Sequence, residues 1–90
     1  MSEPFRPDTR SADASDLFDL LSDRTRLSII ITLAEAPNGL TFSQLANGIE
    51  VDDTGRLNYH LNRLRERLVT KQDDAYVLTE EGNSVRSWFE

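Results

Sequence analysis

Cysteine is absent from these 90 residues, which removes disulfides, thiolate nucleophiles and cysteine-ligated metal centres at once. Histidine occurs once, as His60, and a lone imidazole without carboxylates at ligand spacing does not make a metal site. Lysine also occurs once, as Lys71. No apolar run approaches the roughly 20 residues of a membrane span, and the opening Met1-Ser2-Glu3-Pro4 lacks the apolar core of a secretory signal. No nucleophile–base pairing or glycine-rich phosphate loop is visible, so an enzyme is not expected. The expectation is a cytoplasmic protein with no metal, no cofactor and no membrane partner.

The charge balance is the next constraint. Sixteen acidic residues oppose ten basic ones for a net charge of −6, and nine of those ten are arginine. An acidic, lysine-poor surface suits concentrated salt. There the Debye length shrinks to about 3 Å at 1 M, so self-repulsion costs little and hydrated carboxylates aid solubility. The halophilic reading matters because net negative charge otherwise argues against nucleic acid as a partner. The alternative is a mildly acidic protein that happens to favour arginine.

Ninety residues make one domain with a small core. Residues 1–14 carry prolines and charges without periodicity and read as a flexible N-terminal tail; 15–90 read as the folded domain. Ser15 is placed to cap a short helix, 16–21, bearing Leu17, Phe18, Leu20 and Leu21. Asp23 caps a second, from about residue 24 to 36, whose predicted inner stripe is Leu27, Ile30, Ile31 and Ala34. Pro37-Asn38-Gly39 stops it. Thr41 and Gln44 have capping-box spacing and open a third helix through Phe42, Leu45 and Ala46, ended by Asn47-Gly48. Ile49 and Val51 then plug the core. A fourth helix is predicted over 53–68. Val69-Thr70-Lys71 and Tyr76-Val77-Leu78 are β-prone runs around Gln72-Asp73-Asp74-Ala75, a hairpin signal. Thr79 caps a last helix holding Val85, Trp88 and Phe89. The order α-α-α-α-β-β-α, mainly α with a small β-hairpin, is that of a winged helix-turn-helix.

The fourth helix carries the functional signal. Leu57, Leu61, Leu64 and Leu68 recur along one buried line. At about 100° per residue Tyr59 projects almost opposite, with Gly55, Asn62 and Arg63 on the same side. Arg56 and Arg67 occupy one shoulder, Asn58 and Arg65 the other. An exposed aromatic among guanidinium and carboxamide groups is what a major-groove reader presents, because those groups bond base edges bidentately. An ordinary amphipathic helix with a solvated polar face fits the same pattern. Gly55 is either a close approach for DNA backbone or simply a loose helix start. His60 is read as a hydrogen-bonded packing residue. Arg24 and Arg26 either touch phosphate or pair with Asp23 or Glu35 at the surface.

Leu20-Leu21-Ser22-Asp23-Arg24-Thr25-Arg26-Leu27 with Leu33-Ala34-Glu35-Ala36 resembles the opening of arsenic-repressor-like (ArsR-type) transcriptional regulators. Tyr59-His60-Leu61-Asn62-Arg63-Leu64 resembles that family's recognition-helix core. Asp74-Ala75-Tyr76-Val77-Leu78-Thr79-Glu80-Glu81-Gly82 resembles its wing and last helix. The lysine-poor surface suggests a haloarchaeal member. The resemblance implies a homodimeric regulator of double-stranded DNA, expected to be a repressor. Thr54, Arg56, Asn58 and Tyr59 would then face the groove with Arg63 available for phosphate, and Asn62, on the same outer side, completes the expected DNA-binding set.

Two features depart from that pattern. Metal-sensing members use cysteine or clustered histidine, which this chain lacks, and the expected basic wing tip carries Asp73 and Asp74 instead. Leu17, Phe18, Leu21, Val85, Trp88 and Phe89 exceed what one small core needs and are the predicted dimer interface, the alternative being closure of a monomer's core. A protein-interaction module with an acidic surface and a protein partner is the competing function.

Overall fold

The computed structural model describes residues 16–50, 52–65 and 67–89. Along them run α1 (residues 16–21), α2 (Arg24–Ala34), α3 (Phe42–Ile49), α4 (Thr54–Leu64), β1 (Val69–Gln72), β2 (Ala75–Leu78) and α5 (Glu80–Arg86), closing on a 3-10 turn over Ser87–Phe89. This is a winged helix-turn-helix, mostly helical with one antiparallel hairpin. The predicted tail, the Ser15 cap and the Val51 plug lie outside the described residues.

Short polar side chains start the helices. The Asp23 carboxylate accepts from the Thr25 and Arg26 N–H groups at 2.8 and 3.2 Å. Gln44 N–H donates to Thr41 Oγ1 at 3.2 Å while Thr41 N–H donates to Gln44 Oε1 at 2.9 Å, a reciprocal capping box. Asp53 accepts from Arg56 N–H at 3.2 Å and Thr79 from Gly82 N–H at 3.0 Å. Each such cap stabilises its helix by about 1 kcal/mol.

Helix ends and phases depart from expectation in three places. α2 stops at Ala34, and its inner face is Arg26, Ile29, Ile30 and Leu33 rather than the predicted stripe. Ile31 is 44% exposed and Leu27 only half-buried. The phase is shifted by one residue because Arg26, taken as a surface charge, points inward. α3 runs past Asn47-Gly48 to Ile49, and the left-handed residue that ends it is Glu50, at φ 54°. α4 ends at Leu64 instead of Leu68. The next turn tightens, with Arg67 N–H and Leu68 N–H both donating to Leu64 O at 2.9 and 2.7 Å. That turn keeps Leu68 fully buried on the helix's apolar line, so the periodicity outlives the helix.

The hairpin pairs Val69 with Leu78, Thr70 with Val77, Lys71 with Tyr76 and Gln72 with Ala75. Its turn is only Asp73-Asp74, with Asp73 at φ 57°, a conformation aspartate tolerates better than most residues. Leu40 adds an antiparallel bridge to Tyr76, each N–H donating to the other's carbonyl at 3.0 and 2.7 Å. Gly39 makes that bridge available. It sits at φ +89°, and a Cβ there would run into the Val77 methyl and the Tyr76 carbonyl at 2.7 and 2.9 Å. The core gathers Leu17 and Leu20 of α1, Ile29, Ile30 and Leu33 of α2, and Leu45 of α3. Leu57, Leu61 and Leu64 of α4 join them, with Leu68, Val69, Tyr76 and Val85. α4 is therefore fixed along one face and open along the other.

Candidate nucleic-acid interface

The four inward residues of α4 are Leu57, His60, Leu61 and Leu64. Thr54, Gly55, Arg56, Asn58, Tyr59 and Asn62 are all exposed, Tyr59 by 55%. The exposed set forms one continuous outer face, with hydrogen-bonding groups on both sides of an aromatic ring. At Gly55 a Cβ would meet little but the Asp53 carboxylate at 3.3 Å, so folding does not require glycine there.

Arg63 is placed differently from its neighbours. Its Nη2 donates to Asp19 Oδ2 at 3.2 Å, which draws the guanidinium toward α1 and leaves the side chain about a third exposed. Arg67 is also drawn away from the outer face. Its Nε and Nη2 reach Glu81 Oε2 at 2.9 and 2.7 Å. The bonds from Arg67 hold the Glu81 carboxyl below its ordinary pKa. Arg65 remains exposed.

Behind the outer face lies a buried polar cluster. Arg26 donates through Nε to Leu20 O at 2.6 Å, through Nη2 to Asp19 O at 3.2 Å, and through Nη1 to His60 Nδ1 at 3.0 Å. Burial pushes the His60 pKa down, and the cations Arg26, Arg56 and Arg63 push the same way against the opposing pull of Asp23. Burial alone would raise the Asp23 carboxyl. The Arg26 and Thr25 N–H groups and the charges on His60 and Arg26 outweigh it and hold it below the usual value. Neither expected role for Arg26, phosphate contact or surface pairing, is what it does here. The missed signal is its spacing: one turn into α2, just after the tight Ser22-Asp23 link, its side chain folds back over the carbonyls that end α1.

The wing tip presents Asp73 and Asp74 to solvent. Lys71, the chain's one lysine, stands with its Nζ 5.4 Å from the centre of the Tyr76 ring, a cation–π contact within the hairpin. A concavity of about 380 Å³ lies beside the first turn of α4, lined by Arg24, Ser28, Glu50, Asp52, Asp53 and Arg56 among others. Its mixed charges do not single out an anion. Among the described residues no cluster of three or more histidine, cysteine or acidic side chains is placed to hold a metal ion. No described helix is long and apolar enough to cross a membrane.

The predicted subunit contact divides in two. Leu17 and Val85 are 9% and 1% exposed and Leu21 is half-buried against the same cluster, so these residues close the chain's own core. Phe18 and Trp88 are 63% and 54% exposed, with ring centroids 6.3 Å apart. The inner faces of α1 and α5 are spent on folding, and the two aromatics beside them are not. The Phe89 side chain lies outside the described residues.

The family described as Domain of unknown function (DUF7347) matches residues 14–88. No curated protein matches the chain. Among solved structures, HlyU from Vibrio cholerae N16961 is 26% identical, covering 91% of this chain and 92% of that one at a TM-score of 0.76. Quinone-bound YodB from B. subtilis is also 26% identical, covering 94% and 89% at a TM-score of 0.71. NolR from Sinorhizobium fredii, at 21% identity, 98% and 93% coverage and a TM-score of 0.75, shows likeness of fold alone.

Proposed function

The chain belongs to the family described as Domain of unknown function (DUF7347), and from that premise we propose that it is a sequence-specific, DNA-binding transcriptional regulator. The observation that carries the reading is the outer face of α4, where Tyr59 stands exposed among Thr54, Arg56, Asn58 and Asn62 while the leucine line is wholly buried. The likeness to HlyU and YodB, winged-helix transcriptional regulators, supports it.

In this reading α4 enters the major groove, with Arg56, Asn58 and Asn62 bonding base edges and Tyr59 packing between them. Arg63 serves phosphate by exchanging its Asp19 partner for the DNA backbone. Two chains pair through Phe18 and Trp88, setting their recognition helices about 34 Å apart on a two-fold operator. Occupying that operator blocks transcription, the action of an ArsR-type repressor. The acidic, lysine-poor composition suits a halophilic archaeal cytoplasm, where salt screens the repulsion between protein and duplex.

The exposed Asp73 and Asp74 at the wing tip favour a second reading, an interaction module that docks a protein partner and leaves DNA alone. Fluorescence anisotropy separates the two, using duplex from the gene's own upstream region and a scrambled duplex over about 0.2 to 2 M potassium chloride. Preference for the upstream duplex, abolished in R56A/R63A, is the expected result. A folded protein that binds neither duplex at any salt overturns the DNA reading in favour of the module.

A further inference from the structure

We infer that Arg26 is a positioning residue for α4: its guanidinium, braced on the last carbonyls of α1 and accepted by His60, sets the angle at which the recognition face is presented. The inference builds on the reading of α4 as the DNA-contacting helix, but its first consequence is structural and measurable without DNA.

Arg26 is 8% exposed, and three of its donors are committed to three acceptors on two other helices. Two of those acceptors are α1 carbonyls, at the end where the helix dipole is negative, so a cation can be held there without a carboxylate touching it. The third is His60 on α4. An arginine donor requires that Nδ1 carry no proton, which makes His60 the neutral tautomer with its proton on Nε2. That nitrogen lies 3.7 Å from Asp23 Oδ1, too far for a hydrogen bond. His60 is faced by Asp23 and Arg26 from the start of α2 and by Arg56 and Arg63 from its own helix. The Tyr59 ring stands edge-on to it, centroids 5.1 Å apart.

Asp19 belongs to the same device twice over. Its carbonyl accepts from Arg26 and its carboxylate from Arg63. The last turn of α1 thus holds α4 through the core by way of Arg26 and His60, and across the surface by way of Arg63. Because Tyr59 and His60 are adjacent, one outward and one inward, a roll of α4 that lengthens the Arg26–His60 bond must also move Tyr59, Asn58 and Asn62. Protonating His60 would oppose two donors, both cationic, and produce that roll.

The test uses the full chain and two readouts. Residual dipolar couplings report the angle of α4 relative to α2 in the free protein. The ratio of scrambled to upstream dissociation constants reports how well the face is presented. Partial unfolding weakens both duplexes equally and leaves that ratio alone, so a merely structural role does not move it. R26K keeps the charge but puts all donors on one nitrogen, which cannot span three acceptors. H60L removes the acceptor, and H60Q restores one that does not titrate.

Expected are shifted α4 couplings and a ratio lowered about tenfold, the effect of one lost base contact, in R26K and H60L. H60Q should behave as wild type. Should a variant fail to fold, wild type supplies the second measurement. His60 is the sole histidine, so one imidazole Hε1 resonance tracks its protonation, and the α4 couplings should change along that titration but not in H60Q. Couplings of α4 unmoved by the variants and by His60 protonation overturn the inference. Couplings that move in a wild type showing no preference between duplexes leave the positioning role standing and remove the DNA reading instead.

Discussion

The carbonyl of Leu68 packs directly onto the α-carbon of Gly82, so closely that a methyl group there would overlap it. The same carbonyl accepts from Thr79 N–H at 2.9 Å, and the Thr79 hydroxyl donates to Arg67 O at 2.9 Å while accepting from Gly82 N–H. The exit from α4, the entry to the wing and the first turn of α5 meet at this point. The obstacle is backbone held by hydrogen bonds, not the end of a flexible side chain. Gly82→Ala is therefore expected to destabilise the domain by about 1–3 kcal/mol, seen as a lowered thermal midpoint with the native circular dichroism retained below it. A variant melting with wild type would show that α5 can slide on the wing.

Much of the fold was legible because local chemistry and global packing agree. Asp23, Thr41 and Thr79 are readable as caps from their side chains alone and each caps its helix, while Asp53, expected as the first helical residue, is the cap of α4. The α4 leucine line announced its buried face. What misled were residues whose role is set by contacts distant in sequence. Arg26 looks like surface charge until α1 lends it two carbonyls and α4 an imidazole, and that misplacement shifted the stripe of α2 by one residue. Gly48 looks like a helix stop, yet the left-handed turn falls at Glu50, once Ile49 has packed against the core. Arg56, Asn58, Tyr59, Asn62 and Arg65 are exposed as their spacing implies, whereas Arg63 and Arg67 are drawn aside by Asp19, 44 positions earlier, and by Glu81.

Acid should weaken the fold in two stages. The folded pKa of His60 is depressed, so the unfolded chain takes up the proton first as pH falls. Its contribution is complete above about pH 6.5 and is lost from there down to the folded value. Glu81 is held below its ordinary value by Arg67, so its contribution is present above about pH 4.5 and lost as pH falls through the folded value. Urea melts from pH 8 to 3 should show both declines. H60Q should flatten the upper one, and E81Q should shrink the lower one to the share held by Asp23, whose carboxyl is also depressed, at the expense of stability near neutrality. Parallel curves for E81Q and wild type would count against the Arg67–Glu81 pair as a stabilising contact.

The proposed pairing of two chains would run through Phe18 and Trp88, which stand exposed. Each ring carries about 150–250 Å² of surface, a large exposed area for one small domain. F18S/W88S should sediment as a monomer at concentrations where wild type is a dimer, with unchanged helicity, since neither ring belongs to the core. Leu17→Ala, by contrast, should lower stability through a core cavity. A double variant that sediments as wild type would place any subunit contact elsewhere.

The wing supplies the sharpest electrostatic prediction for DNA. Its tip holds Asp73 and Asp74, and its lysine rests over Tyr76, so the hairpin presents net negative charge where a duplex docked on α4 would run nearby. Each phosphate newly neutralised steepens the dependence of log affinity on log salt by about 0.9. D73K/D74K should therefore bind both upstream and scrambled duplexes more tightly, with a slope steeper by up to about 2. The preference for upstream sequence should hardly change, because phosphate contacts carry no base information. The mutations leave the paired strand residues untouched, although Asp73→Lys places lysine at a positive φ, so the melt must accompany the titration. An unchanged slope in a folded variant would mean that the wing stands clear of the duplex. The recognition helices would then bear the whole of the contact, and α4 geometry alone would decide affinity.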